Sequence, residues 1–563
     1  MKRATKRKAT WALLIAALLT GGTRAPAISA QTATAAAPSA AAARVPWLHG
    51  ATCYEVFVRS FYDGNGDGIG DLRGLTQKLD YINDGNPRTT RDLGAQCVWL
   101  MPVAESPGYH GYDVSDHYRV ERDYGTNADF KAFVSAAHAR GIKVLVDMVP
   151  NHVSSEYPAF QTALRDTTSP ARRLFRWSPV KGPDNRWGGN TWHKSPLRDE
   201  YYYGFFWQGM PDLNYELPDA LAEMQNVATF WLTEMDVDGF RLDAVKFLVE
   251  RGAQVDDTPG THRVLRDFAA HVRRVKPGAF TIGEVFDSTG ALLPYYPNQL
   301  DAYFAFEIAD SLIHGIRRGD ARGLLAPVLR LQRAVSPSSY APLRYAPFLR
   351  NHDQPRTRTE FGGDVSKARL AATLMLTLPG LPFVYYGEEL GMLGDKPDEQ
   401  IRTPMAWTLE GPHAGFTTGT PWEPLQRDSL ESNVAVQDGD DRSLLSLYRT
   451  LIHRRASHPA LSSGALVALS TSHATVAAFV RRSGRHAVLV VANVGDSAVS
   501  NVRVQSARTG LSAGHYAGRD MLGTSVSTVL RVRVHGALSS QVVLPTIPPK
   551  SAYVFDLTAS PAR

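Results

Sequence analysis

The segment DGFRLDAV, residues 238–245, sets Asp238, Arg241 and Asp243 among Phe240, Leu242 and Val245. Strands buried in a parallel sheet usually read as apolar runs, and an unpaired charge inside one is costly. Other apolar runs end in the same way. Asp147, Asn151 and His152 close DMVPNH, Glu284 follows the run that starts at Ala279, and His352 and Asp353 close FLRNHD. Side chains alternate along a strand, so Arg241 and Asp243 share one direction while Asp238 takes the other, a structural position. Brought to one point, Asp243, Glu284 and Asp353 make a three-carboxylate cluster with Arg241 as its counter-charge. Carboxylates on facing sides of a cleft suit hydrolysis of a glycosidic bond. One attacks the anomeric carbon and the other, as an acid, protonates the leaving oxygen; a retaining pair stands about 5 Å apart. Neighbouring carboxylates raise the pKa of the acid, and Arg241 keeps the nucleophile ionised.

Positioning such residues needs strands that end around one opening. Eight apolar runs are strand candidates: residues 53–58, 97–102, 143–149, 237–243, 279–285, 301–306, 346–353 and 382–387. Amphipathic stretches such as 127–141 and 219–235 lie between them. This alternation predicts an α/β fold, a (β/α)8 TIM barrel, whose active site gathers at the C-terminal ends of the strands. Residues 153–213, rich in Trp, Tyr, Gly and Pro, form a connection too long for an ordinary loop and read as an inserted subdomain over the barrel mouth. After residue 460 the texture changes to β-rich runs split by turn residues, which predicts a C-terminal all-β sandwich with a structural role. The expected boundaries are 47–152 and 214–460 for the barrel, 153–213 for the insert and 461–563 for the β domain.

The first residues read as an export signal. A basic stretch precedes WALLIAALLT and a small-residue AISA site, with cleavage after Ala30 or Ala27. Residues 31–46 read as a disordered leader, low in complexity. Lys2, Arg3, Lys6, Arg7, Lys8 and Arg24, with no acid beside them, account for the formal charge of +6. The mature chain is then near neutral, which removes any case for a nucleic-acid partner. No segment outside the signal is apolar for long enough to predict a membrane span. Localisation is therefore expected to be periplasmic or extracellular. The two cysteines, Cys53 and Cys97, sit at the starts of two strand candidates; a disulfide and two buried free thiols are both open readings. The 10 Trp, 22 Tyr and 22 Phe are ample for both core packing and sugar stacking.

DMVPNH, GFRLDAVK, GEVF and FLRNHD occur in order at these strand ends and resemble the four main motifs of the α-amylase family, glycoside hydrolase family thirteen. The resemblance implies Asp243 as nucleophile, Glu284 as acid/base and Asp353 as transition-state stabiliser. It implies sugar contacts from Arg241, His152 and His352. YHGYDVSDHY, residues 109–118, resembles the family's loop after strand two and implies Tyr112 as a stacking platform with His110 and Asp113 beside it. Lys246 resembles a lysine that contacts sugar beyond the scissile bond, and Arg356 in NHDQPR is a further candidate contact. The three histidines are scattered along the chain, so zinc is not expected.

DGNGDGIGD, residues 63–71, offers oxygens at alternate positions: Asp63, Asn65, Asp67, the carbonyl of Ile69, and Asp71. Hard oxygens suit Ca²⁺, but Gly74 occupies the place where an EF-hand needs its bidentate Glu. The loop instead resembles the calcium loop of the oligo-1,6-glucosidase and neopullulanase branches; a turn without metal is the other reading. Phe247 stands where family α-amylases often have a calcium-ligating His, so an interdomain calcium is not expected. MPDLN (210–214) is intermediate between oligo-1,6-glucosidase and neopullulanase patterns, and RTPMAW (402–407) resembles the former. The expected substrate is an internal α-1,4 bond of starch or maltodextrin. An α-glucosidase, oligo-1,6-glucosidase or neopullulanase-like enzyme on short α-glucans is the second reading, and a non-catalytic glucan-binding relative the third.

Overall fold

The computed structural model describes residues 45–335 and 344–559. The expected signal, 1–30, and leader residues 31–44 lie outside the described residues. The leader's last two residues belong to the fold, which corrects that boundary. Val45 is buried and Pro46–Leu48 forms a short 3-10 turn, because Val45 and Leu48 plug the floor of the barrel.

Eight parallel strands form the first sheet: β1 (Cys53–Val56), β2 (Cys97–Leu100), β3 (Lys143–Met148), β4 (Gly239–Leu242), β5 (Phe280–Gly283), β6 (Ala302–Phe304), β7 (Tyr345–Ala346) and β8 (Phe383–Tyr385). They pair in sequence order from β1 to β7, and β8 pairs with β1. Leu381 N–H donates to Tyr345 O at 3.0 Å and Phe383 N–H to Pro347 O at 3.0 Å, which bridges the seam. β7 is much shorter than its sequence run because Pro347 has no N–H to continue the ladder.

Alternation sorts the side chains. Cys53, Cys97, Trp99, Leu145, Phe280 and Ile282 pack inside the barrel, while Tyr54, Val56, Val98, Val144 and Val146 pack outward under the helices. The same parity turns Glu55, Asp147 and Arg241 inward. Cys53 and Cys97 are direct cross-strand neighbours and are disulfide-bonded. Gly239 has φ +154°, and a Cβ there would meet Phe280 O at 1.9 Å, so only glycine lets β4 approach β5 so closely. Helix Asn127–Ala139 shows how the outer layer is specified. Thr126 and Asp129 form a capping box, and Phe130, Phe133, Val134 and Ala137 make one buried face. Burying each phenylalanine contributes about 1.5–3 kcal/mol.

The insert leaves and rejoins the barrel through a clamped neck. Val153 N–H donates to Pro211 O at 3.1 Å and Leu213 N–H to Asn151 O at 2.9 Å. Between them lie helix Pro158–Arg165 and a three-stranded antiparallel sheet of Trp177–Ser178, Tyr201–Tyr203 and Trp192–Lys194. From Ala465 onward, eight antiparallel strands form one continuous sheet around an apolar core that includes Leu489, Val491, Leu530 and Phe555. Arg481 ties this domain to the barrel by donating to Thr377 O at 2.6 Å, at the C-terminal end of helix Val365–Thr377. Among the described residues no helix is long and apolar enough to cross a membrane.

Candidate active site

β4 carries Arg241 inward with 1% of its surface exposed. Its Nη1 lies 2.9 Å from both oxygens of Asp147 on β3 and 2.8 Å from Asp243 Oδ1. Its Nη2 lies 3.0 Å from Glu284 Oε2, just past β5. One guanidinium therefore holds three carboxylates from three neighbouring strands, and this is how a buried strand accommodates charge. The chain turns sharply after Asp243. Ala244 is left-handed (φ 48°, ψ 34°), and its N–H donates to Glu284 Oε2 at 3.3 Å.

Asp353 completes the cluster from the loop after β7. His352 Nε2 lies 3.1 Å from its Oδ2, and Arg402 Nη2 donates to its Oδ1 at 2.9 Å. Asp243, Glu284 and Asp353 all line one cavity of about 400 Å³, with His110, Tyr112, His152, Lys246 and Arg402. The electrostatics separate the acids. Burial lifts Glu284 to about 7, with Asp243 and Asp353 adding to the rise and Arg241 opposing it. Burial also raises Asp243, against Arg241. In Asp353 desolvation works against charge, but His352 and Arg402 outweigh it and hold the carboxyl well below its ordinary value. One carboxyl that keeps a proton near neutrality faces the same space as one that stays ionised.

The chain from residue 55 to 464 matches the model of the α-amylase catalytic domain. It belongs to the α-amylase family. It is a glycosidase of that family, 37% identical to alpha-amylase 3 of Dictyoglomus thermophilum over 80% of this chain and 85% of that one. It is 33% identical to the trehalose synthase/amylase TreS of Mycolicibacterium smegmatis, over 78% of this chain and 81% of that one. The crystal structure of the α-amylase from H. orenii superposes with a TM-score of 0.77 at 38% identity, covering 91% of this chain and 99% of that one.

Within this family member, the candidate sugar contacts divide. Tyr112 faces the cavity, its ring stacked on His352 at 5.5 Å and 13°. His110 and His152 line the same space. His152 Nε2 donates to Tyr112 O at 3.1 Å, and burial pushes its pKa down to about 4, leaving it neutral. Arg241 and His352 lie behind the wall, 1% and 0% exposed, where they hold the carboxylates. Lys246 lines the cavity, but its Nζ is 2.6 Å from Asp287 and within 3.8 Å of Asp256 and Asp257, so its charge is already matched.

Besides Arg241 and His352, two further expected contacts lie off the cavity wall. Asp113 is buried away from the cavity, accepting from Ser106 Oγ at 2.6 Å and Gly108 N–H at 3.2 Å to shape its own loop. Arg356 is 0% exposed and donates to Ile401 O at 2.9 Å and Tyr386 O at 2.8 Å, so it ties loops together below the site. The arginine that reaches Asp353 is Arg402, inside the RTPMAW segment. Sequence reasoning also passed over Glu55, which binds His352 at 2.6 Å, and the lip of Phe206, Met210, Phe247 and Phe286. Glu55 had a signal, an acid in an apolar strand; the lip draws Phe206 and Met210 from the insert and Phe247 and Phe286 from the loops after β4 and β5, and no local pattern joins them. Phe247 stacks on Phe205 of the insert, ring centroids 4.4 Å apart, an apolar junction between insert and barrel.

Loop 63–71 is a chain of carboxylate-capped turns. Asp63 accepts from Asn65, Gly66 and Gly68 N–H, Asn65 from Asp67, Asp67 from Ile69, and Asp71 from Gly64 and Gly74. Burial raises Asp71, with Asp63 and Asp67 adding to the rise. Among the described residues no lysine or arginine pairs with these acids, and no three His, Cys, Asp or Glu side chains converge as a metal cluster. The donor chemistry, oxygens only with three acids, fits a hard divalent cation.

Proposed function

We propose that the chain is a retaining endo-hydrolase of α-1,4-glucosidic bonds in starch and maltodextrins. The observation that carries this reading is Arg241 holding Asp243 and Glu284 against one cavity that Asp353 also faces. In this reading Asp243 attacks the anomeric carbon while protonated Glu284 delivers its proton to the glycosidic oxygen, and the carbon–oxygen bond breaks. The sugar is left as an ester on Asp243. Glu284, now ionised, takes a proton from water, which attacks the same carbon and releases Asp243. Tyr112 supplies an apolar face for the sugar ring, and ionised Asp353 stabilises the positive charge that develops there.

The α-amylase relative and the α-amylase structure support starch as substrate, and the trehalose synthase/amylase relative supports action on a short sugar. A second reading, an α-glucosidase or neopullulanase-like enzyme acting on short α-glucans, is favoured by the aromatic side chains of Phe206, Phe247 and Phe286 lining the cavity. Assays on soluble starch, pullulan, maltose, isomaltose and trehalose separate the two. Rapid loss of iodine staining in starch supports endo cleavage; glucose release with little fall in viscosity replaces it with the second reading. Asp243→Asn is expected to abolish cleavage, and wild-type activity in that variant removes the mechanism.

The reading extends to two properties that carry their own tests. Asp63, Asn65, Asp67, the carbonyl of Ile69 and Asp71 would hold a structural Ca²⁺, fixing the loop after β1. The N-terminal 30 residues would direct export, and N-terminal sequencing of the secreted chain would find it beginning after Ala30 or Ala27.

A further inference from the structure

Glu55 is 2% exposed at the inner face of β1, between outward-facing Tyr54 and Val56. It does not line the cavity. A carboxylate at this depth needs a partner, and it has one: its Oε1 lies 2.6 Å from His352 Nδ1. The other ring nitrogen, Nε2, lies 2.6 Å from Tyr112 OH and 3.1 Å from Asp353 Oδ2. Tyr112 OH in turn donates to Asp147 Oδ2 at 3.0 Å, the carboxylate that Arg241 holds. We propose that Glu55 is a positioning residue that fixes His352 as the doubly protonated imidazolium, so that Nε2–H is presented to Asp353 and Tyr112. The proposal rests on the glycosidase reading of Asp353 as the stabilising carboxylate.

The contact geometry favours it, since His352 lies between two carboxylates, with burial raising Glu55 and His352 pulling it back down. If His352 were neutral, its one proton would be drawn to Nδ1 by Glu55, and Nε2 would present a lone pair. That lone pair would repel Asp353 Oδ2 and would take the Tyr112 hydroxyl proton away from Asp147. With both nitrogens protonated, every contact in the chain has a donor and an acceptor. The groups facing His352 are Glu55 from β1, Trp99 from β2, Tyr112 from the loop after β2 and Asp353 on its own loop. Asp147, Arg241, Asp243 and Glu284 stand one contact further away. Arg402 binds Asp353 Oδ1 and the carbonyl of His352, so Oδ2 depends on the imidazolium. Burial opposes a charge on His352, but Asp353 and Glu55 overcome it and raise its pKa to about 9.

The test uses Glu55→Gln and Glu55→Asp in the full chain with α-maltosyl fluoride as substrate. Fluoride leaves without a proton, so the alkaline limb no longer reports Glu284. The wild type is expected to stay active into the alkaline range. In Glu55→Gln the loss of activity with rising pH should begin at least about one pH unit lower, with near-wild-type kcat below about pH 6. Glu55→Asp, which keeps the charge, should fall between them. A Glu55→Gln profile identical to wild type, or one lowered equally at every pH, overturns the proposal. If Glu55→Gln does not fold, ¹⁵N-histidine spectra of the wild type decide, with His352 assigned by its absence in His352→Gln. Both ring protons retained above about pH 8 support the proposal, and loss of one near the ordinary histidine pKa of about 6.5 overturns it. A wild type inactive on the fluoride would count against the glycosidase reading of the site, while the spectra would still judge whether His352 is held doubly protonated.

Discussion

Arg241 Nη1 lies 2.8 Å from Asp243 Oδ1, and the same nitrogen contacts both oxygens of Asp147. The nucleophile candidate is therefore oriented from behind by a cation that never reaches the cavity. Removing the cation leaves three carboxylates together in a buried site. Arg241→Ala is expected to lower stability by about 3–5 kcal/mol, the cost of breaking a buried ion pair from one side. Arg241→Lys keeps the charge but loses the fork that spans Asp243 and Glu284, so it should fold better than the alanine variant and still lose most of kcat. Urea unfolding and starch assays on the two variants check this. An Arg241→Lys enzyme with wild-type kcat would count against the orienting role.

Glu284 predicts the pH dependence. Burial raises its folded pKa to about 7, so the acid form needed for leaving-group protonation is present below that pH and lost above it. On starch, kcat/KM should fall as pH rises through about 7. Glu284→Gln cannot donate the proton and should lose about 10²–10⁴-fold on starch, with a smaller loss in glycosylation by α-maltosyl fluoride. The raised pKa also has a stability sign. A carboxyl whose folded pKa lies above its unfolded value favours the folded state at low pH, and that contribution is lost as pH rises through 7. An alkaline limb on starch far above pH 8 would contradict the assignment.

The sequence carried the catalytic carboxylates because two local signals coincided there. Strand parity put Arg241 and Asp243 on one side, and each acid closed an apolar run. What it did not carry were contacts between distant segments. Arg402 reaches Asp353 across 49 residues and Glu55 meets His352 across 297, and nothing in NHDQPR distinguishes Arg356 from the arginine that performs the role. Asp113 differs in kind: its partners Ser106 and Gly108 lie within its own loop, and residue types alone do not show that it turns back onto them. The run 346–353 overstates β7, because a proline stops the ladder without interrupting the apolar pattern.

Loop 63–71 predicts a response to chelation. Asp63 and Asp67 both act against the charge of Asp71, so a divalent cation bound there should stabilise the fold. At a hundredfold excess over its Kd, calcium would contribute about 2.7 kcal/mol. Thermal unfolding in EDTA should shift downward and be restored by Ca²⁺ but not by Mg²⁺, which demands a tighter octahedron. Asp63→Ala should remove the response. An unfolding temperature indifferent to EDTA and calcium would leave the loop as a metal-free turn.

Cys53 and Cys97 give the last prediction. They face each other across the first two barrel strands, both 0% exposed, below Trp99 and above the Val45–Leu48 plug. The bond closes a loop of 44 residues, which on chain-entropy grounds contributes about 4 kcal/mol. Because the sulfurs are sealed inside the barrel, reductant should reach them only through unfolding. The native protein is expected to resist dithiothreitol, and the denatured protein to take up two alkyl groups only after reduction. The double variant Cys53→Ala/Cys97→Ala should keep the active-site geometry and lose about that much stability. Two thiols alkylated in denaturant without reductant would show that the bond is absent, and the barrel floor would then owe its stability to apolar packing alone.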